Sequence, residues 1–152
     1  MKRPRHPDSI FATILFSMSA GDPKDKLVLI VEDDDDIREL LTLAIGRAGF
    51  RLLEAARGED GIKQIAHKPH ALVLDLIMPG CGGLGVLDYL KSTDTPRPIV
   101  LVITAFQDQH PVVMAALRDP NVTLCLRKPI DTDRLLEALH RYLGTERPSK
   151  PA

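Results

Sequence analysis

Residues 26–50, KLVLIVEDDDDIRELLTLAIGRAGF, decide the fold class. Residues 27–31 (LVLIV) are an unbroken apolar run, the pattern of a strand buried on both faces. Asp33, Asp34, Asp35 and Asp36 follow, and acidic groups suit the positive end of a helix. Ile37, Leu40, Leu41, Ala44, Ile45 and Ala48 then recur at helical spacing, and Gly49 stops the run. The stretch is one strand–helix unit, and its strand asks for helices on both sides of a sheet.

The same unit recurs along the chain. Residues 52–55 read as a second strand and 59–66 as a helix with Ile62, Ile65 and Ala66 inward. Residues 71–74 (ALVL) are a third strand ending at Asp75, followed by a loop at 79–83 (PGCGG) and a short helix over 84–90. Residues 99–103 (IVLVI) are the most β-branched strand, closed by Thr104. A helix over 112–117 fits with Pro111 near its start. Residues 122–126 are a fifth strand, and Asp131 caps a last helix carrying Leu135, Leu136, Leu139 and Leu143. Five such units predict an α/β fold: a doubly wound, five-stranded parallel sheet with five helices. No G-x-G-x-x-G follows the first strand and no phosphate-loop motif occurs, so the nucleotide-binding variants of such sheets are not indicated.

Composition bounds the rest. The chain has 152 residues, enough for one domain. Its net charge is −1, but residues 27–144 hold 13 basic and 17 acidic groups between two short basic ends. Balanced charge, no Trp and few aromatics argue against direct nucleic-acid contact. Two cysteines, Cys81 and Cys125, make neither a disulfide scaffold nor a zinc site. Cys125 reads as a small core residue and Arg127 as solvent-directed, with His67, His70 and His110 on the surface. Lys2, Arg3 and Arg5 precede an apolar run at 10–18 (IFATILFSM), which has the outline of a signal peptide. The run is too short to span a bilayer, which needs about 20 residues, so no membrane insertion is expected. The expected division is an N-terminal extension over 1–26, poorly ordered, a domain over 27–144, and a flexible tail over 145–152.

In such a sheet, function collects at the carboxyl ends of the strands. Glu32 and Asp33 end the first strand, Asp75 the third, Thr104 the fourth, and Arg127 and Lys128 the fifth. Three carboxylates, a hydroxyl and an ammonium are expected in one cleft. Clustered carboxylates repel unless a cation or protons neutralise them, and oxygen-only ligation selects Mg²⁺ or another hard divalent ion. A lysine suits phosphoryl oxygens. The set is suited to a phosphoryl group held on or beside a carboxylate, as in an acyl phosphate.

From about residue 27 to 143 the sequence resembles a response-regulator receiver domain of two-component signalling. The motifs that carry the resemblance are LIVEDD (29–34), LVLDLIMPG (72–80), VITA (102–105) and LRKPID (126–131). The resemblance implies a flavodoxin-like receiver fold with Asp75 as phosphoacceptor. It implies Mg²⁺ held by Glu32, Asp33, Asp75 and the backbone carbonyl of Ile77, with Thr104 and Lys128 on the phosphoryl group. The implied donor is a phosphohistidine on a sensor histidine kinase or a histidine phosphotransfer protein, and the implied location is cytoplasmic. The family's aromatic three residues before the lysine is Cys125 here, and its Asp-Gly pair is Gly82-Gly83. The length leads to the expectation of a stand-alone regulator whose output is an unknown protein target. A degenerate receiver, binding proteins without phosphorylation, is the alternative. A haloacid-dehalogenase-type phosphatase would need an Asp at position 77, where this chain has Ile77.

Overall fold

The structure, a computed structural model, describes residues 20–147. Strands and helices alternate: β1 (Leu27–Val31), α1 (Asp35–Arg47), β2 (Arg51–Ala55), α2 (Gly58–Gln64), β3 (Ala71–Asp75), α3 (Gly82–Ser92), β4 (Ile99–Thr104), α4 (Pro111–Leu117), β5 (Val122–Arg127) and α5 (Thr132–Leu143). All strands pair in parallel, in the order β2-β1-β3-β4-β5. The expected doubly wound five-stranded sheet with five helices is therefore present, with ends one or two residues from those read off the sequence.

The period of two along each strand divides the core between the two faces. Val28, Ile30, Val73, Leu101 and Ile103 point to one face, where Leu41 and Ile45 of α1 and Leu135 and Leu139 of α5 cover them. Leu29, Val31, Leu72, Leu74, Val100 and Val102 point to the other, under Val86, Leu87 and Leu90 of α3 and Val113 and Ala116 of α4, with Ile65 closing the end of α2. β1 and β3 are buried nearly throughout. Each fully buried aliphatic side chain contributes about 1.5–3 kcal/mol, so these two strands and β4, which is buried at all but its first residue, are the most firmly held.

Local chemistry sets the helix starts. The Asp34 side chain accepts from the Ile37 N–H at 3.0 Å and caps α1, and Asp131 does the same for α5 from Asp133 and Arg134. α4 is capped by an imidazole: His110 Nδ1 accepts from the Val112 N–H at 3.2 Å.

The described segments on either side of the sheet and helices make contacts of their own. Gly144, at φ +65°, ends α5 in a left-handed turn that sends the chain back over the helix. Thr145 is thereby buried, with its hydroxyl 2.7 Å from His140 Nδ1 and its N–H donating to the His140 carbonyl. Gly21 then bridges Thr145 in parallel, its N–H 2.7 Å from the Gly144 carbonyl. The Asp22 side chain caps a short turn over Pro23–Asp25, and the Lys26 carbonyl accepts from Arg51 N–H. Residues 20–26 and 145–147 thus make contacts with each other and with α5 and β2. The apolar run at 10–18 lies outside the described residues. Among the described residues, no helix is long and apolar enough to cross a membrane.

Candidate functional site

The strand order reverses at β1, which lies between β2 and β3. The connection from β1 runs to β2 on one side and the next crosses back to β3 on the other, which opens a crevice at the carboxyl ends of β1 and β3. Glu32 and Asp33 emerge from β1 at that crevice and Asp75 ends β3 beside them. One carboxylate oxygen from each of the three lies within 4.8 Å of the others. Glu32 and Asp75 are buried, and Asp33 is exposed at the mouth.

One cation serves the two buried carboxylates. Lys128 Nζ lies 3.1 Å from Glu32 Oε2, 3.2 Å from Glu32 Oε1 and 3.3 Å from Asp75 Oδ2. It reaches the crevice because its N–H bonds the Thr104 carbonyl at 2.8 Å, which holds the end of β5 against the end of β4. The Lys128–Pro129 peptide is cis. Glu32 Oε1 also accepts from the Asp34 N–H at 3.2 Å, whereas the buried Oε2 faces only the Lys128 ammonium among the described residues.

Two carboxylates sharing one ammonium remain under electrostatic stress. Burial and then the Glu32 charge push Asp75 from 3.8 up to about 7, against the pull of Lys128 and of the Ile77 N–H at 3.3 Å. Burial alone would lower Lys128, but Asp75 and Glu32 outweigh it and raise the lysine. Lys128 is therefore charged at neutral pH, while Asp75 is poised between its two forms.

Thr104 is fully buried at the end of β4, one residue beyond Ile103, which pairs with Asp75. Its hydroxyl accepts from the Phe106 N–H at 3.1 Å. Ile77 is half-buried beside Asp75. Glu32, Asp33, Asp75, Ile77, Thr104 and Lys128 thus all lie at the carboxyl edge of the sheet, with Glu32, Asp33, Lys128 and the Ile77 N–H grouped about the Asp75 carboxylate.

Other expectations need correction. Cys125 packs against the core as expected, but it is only half-buried, because β5 is an edge strand among the described residues. Arg127 turns back over the β4–α4 loop, pairs with Asp108 and donates to the Phe106 carbonyl at 2.7 Å. His70 is exposed, as expected, but its Nδ1 accepts the Leu27 N–H at 2.9 Å and secures the start of β1. Arg38 was not legible as a site neighbour. It donates to the Glu32 carbonyl at 2.9 Å and pairs with Asp35; its place one turn into α1 was the available signal.

The donor set fits a hard divalent ion. It offers carboxylate oxygens, the buried Glu32 Oε2 among them, and carries more negative charge than Lys128 balances.

A five-stranded receiver-type sheet with acidic residues, a threonine and a lysine at its carboxyl edge defines a class of signalling domain. The chain belongs to the response regulator receiver domain family, whose model matches residues 28–140. It is 42% identical over 88 residues to the transcriptional regulatory protein AfsQ1 of Streptomyces coelicolor, covering 57% of this chain and 38% of that protein. It is 35% identical over 126 residues to the response regulator MprA of Mycobacterium avium, covering 82% of this chain and 54% of that protein. The chain thus spans about a third to a half of the length of these relatives. Among solved structures, the N-terminal domain of an uncharacterized protein from Wolinella succinogenes matches with TM-score 0.71 at 36% identity, over 77% of this chain and 93% of that one. A putative response regulator from Chloroflexus aurantiacus matches with TM-score 0.69 at 29% identity, over 78% and 97%. This is a receiver domain of two-component signalling, a class that interacts with sensor kinases.

Proposed function

We propose that the chain accepts a phosphoryl group on Asp75 from the phosphohistidine of a sensor histidine kinase or a histidine phosphotransfer protein, in a Mg²⁺-dependent reaction. The observation that carries this reading is the convergence of Glu32, Asp33 and Asp75 within 4.8 Å, with Lys128 bridging the two buried carboxylates. Glu32, Asp33, Asp75 and the Ile77 carbonyl would hold the ion. When bound, Mg²⁺ supplies positive charge that offsets the acidic cluster and the incoming phosphoryl oxygens.

The chain's own groups do the rest. An Asp75 oxygen forms the new O–P bond as the donor's N–P bond breaks, and the imidazole nitrogen leaves with the bonding pair. Transfer of this kind depends mainly on positioning and charge stabilisation. Lys128 is charged and already within reach of Asp75, so it can follow a phosphoryl oxygen. The Thr104 hydroxyl can exchange its Phe106 partner for another oxygen, because a hydroxyl both donates and accepts. We propose that apolar Ile77, half-buried two residues after Asp75 and packed against the core, hinders attack by water and lengthens the life of the acyl phosphate.

The phosphorylated domain then signals through protein contacts or passes the group on. The transcriptional relative AfsQ1 makes a DNA-directed output the competing one. A phosphorylation-independent binding module is the second reading, supported by Cys125, which offers no ring on β5 for the family's threonine-to-aromatic coupling. The discriminating experiment incubates the protein with Mg²⁺ and acetyl phosphate and measures intact mass, with Asp75→Asn as control. A gain of one phosphoryl mass in wild type alone is expected. No gain in wild type would leave the binding-module reading standing.

A further inference from the structure

We infer that Glu59, on α2 and outside the acidic crevice, is a positioning residue that fixes the loop carrying the Ile77 carbonyl and so tunes divalent-ion affinity. The inference rests on the metal reading above, but its geometric half stands without an ion.

The loop between β3 and α3 is held at both ends. At its start, the Leu76 N–H donates to the Ile103 carbonyl at 3.1 Å and the Leu76 carbonyl accepts from the Gly83 N–H at 3.1 Å. A Cβ on Gly83 would lie 2.6 Å from the Asp75 carbonyl and the Leu76 Cα, so α3 starts in direct contact with this backbone. At its far end, the Cys81 N–H donates to Glu59 Oε1 at 2.9 Å, a bond across 22 residues of sequence. Residues 77–80 form a short span between these anchors.

The Glu59 anchor is tightly fitted. Gly80 adopts φ +78°, and a Cβ there would meet Glu59 Oε1 at 2.5 Å, so the carboxylate lies against the loop backbone. The Cys81 side chain sits between α2 and α3, where a Cβ on Gly58 would meet its Sγ at 2.6 Å and one on Gly85 its Cβ at 2.7 Å. Arg57 Nε, 3.7 Å from Glu59 Oε2, steadies the carboxylate from the other side. The Cys81 N–H is the main reason that Glu59 is held below the usual carboxylate range. A four-residue span fixed at both ends has few backbone conformations, so releasing one end loosens the Ile77 carbonyl. Mg²⁺ is sensitive to such loosening because it demands near-ideal octahedral geometry.

The test compares Glu59→Ala and Glu59→Gln with wild type. Gln keeps an acceptor oxygen and removes the charge. In chelator, amide hydrogen exchange should show the Cys81 N–H protected in wild type and in Gln, and exchanging roughly 10-fold faster in Ala. Calorimetric titration with Mg²⁺ alone should give a dissociation constant about 3- to 10-fold weaker for Ala and within about twofold of wild type for Gln. Unchanged Cys81 exchange in Ala would overturn the positioning role. Equal weakening in Ala and Gln would mean that charge, not position, acts, and would overturn it too. Wild type that binds no Mg²⁺ would remove the tuning half and the metal reading together, while the exchange data still decide the anchor.

Discussion

Replacing Asp75 with Asn should make the metal-free protein more stable at slightly alkaline pH. The side chain is 4% exposed and shares the Lys128 ammonium with the fully buried Glu32. Burial and the Glu32 charge raise Asp75 from 3.8 to about 7. Each pH unit of such a rise corresponds to about 1.4 kcal/mol, so ionising Asp75 in the folded state costs up to about 4 kcal/mol. Asn keeps the shape and loses the charge, but it also loses the bond to Lys128, so a net gain of about 1–3 kcal/mol is expected. The sign follows from linkage: a carboxyl whose folded pKa is raised favours the folded state below its unfolded value. That advantage is lost as pH rises from about 4 through about 7. Wild type should therefore lose stability relative to Asp75→Asn across this window, with the gap complete near pH 8. Urea denaturation followed by far-ultraviolet circular dichroism, in chelator at several pH values, measures it. Saturating Mg²⁺ should narrow or reverse the gap, since tenfold excess over the dissociation constant stabilises wild type by about 1.4 kcal/mol. A variant no more stable than wild type near pH 8, or a gap independent of pH, would refute the account of a strained carboxylate pair.

Lys128→Ala should destabilise the metal-free fold by about 3 kcal/mol at neutral pH, because two buried carboxylates lose the cation they share; urea denaturation checks this. The same variant should lose phosphorylation by acetyl phosphate, measured by intact mass. Ile77→Asn should shorten the acyl-phosphate lifetime several-fold, on the order of one kcal/mol of barrier; an unchanged half-life after removal of the donor would discard the shielding role of Ile77. Gly83→Ala should cost about 2 kcal/mol or more, since its Cβ would press at 2.6 Å on backbone atoms of Asp75 and Leu76 that cannot move aside; a thermal melt reads the loss.

Much of the fold was legible because its signals are local. The run at 27–31 reads as a doubly buried strand from five consecutive apolar residues, and Asp34 and Asp131 mark helix starts by chemistry that acts over three residues. The site residues were legible for a related reason: polar side chains interrupt apolar strands at their ends, and parallel strands bring those ends to one edge. Arg38 and Glu59 were not legible, because each acts on a backbone group whose neighbourhood is set by folding. For Glu59 that group lies 22 residues away. The contact of Thr145 with His140 has no local signal for the same reason, since a Pro-rich tail without apolar periodicity gives no sign that Thr145 will be buried.

The sequence by itself determined the alternation of strands and helices, the chemistry available at the strand ends and the family to which the chain is similar. Periodicity and residue type are properties of short windows, and they carry that much. Only the tertiary structure decided that β1 lies beside β3, so that Glu32 and Asp75, 43 positions apart, share one lysine from the end of β5. That adjacency turns two ordinary carboxylates into a strained pair with Asp75 raised to about 7. Burial and like charge act through space, and no window of sequence contains them.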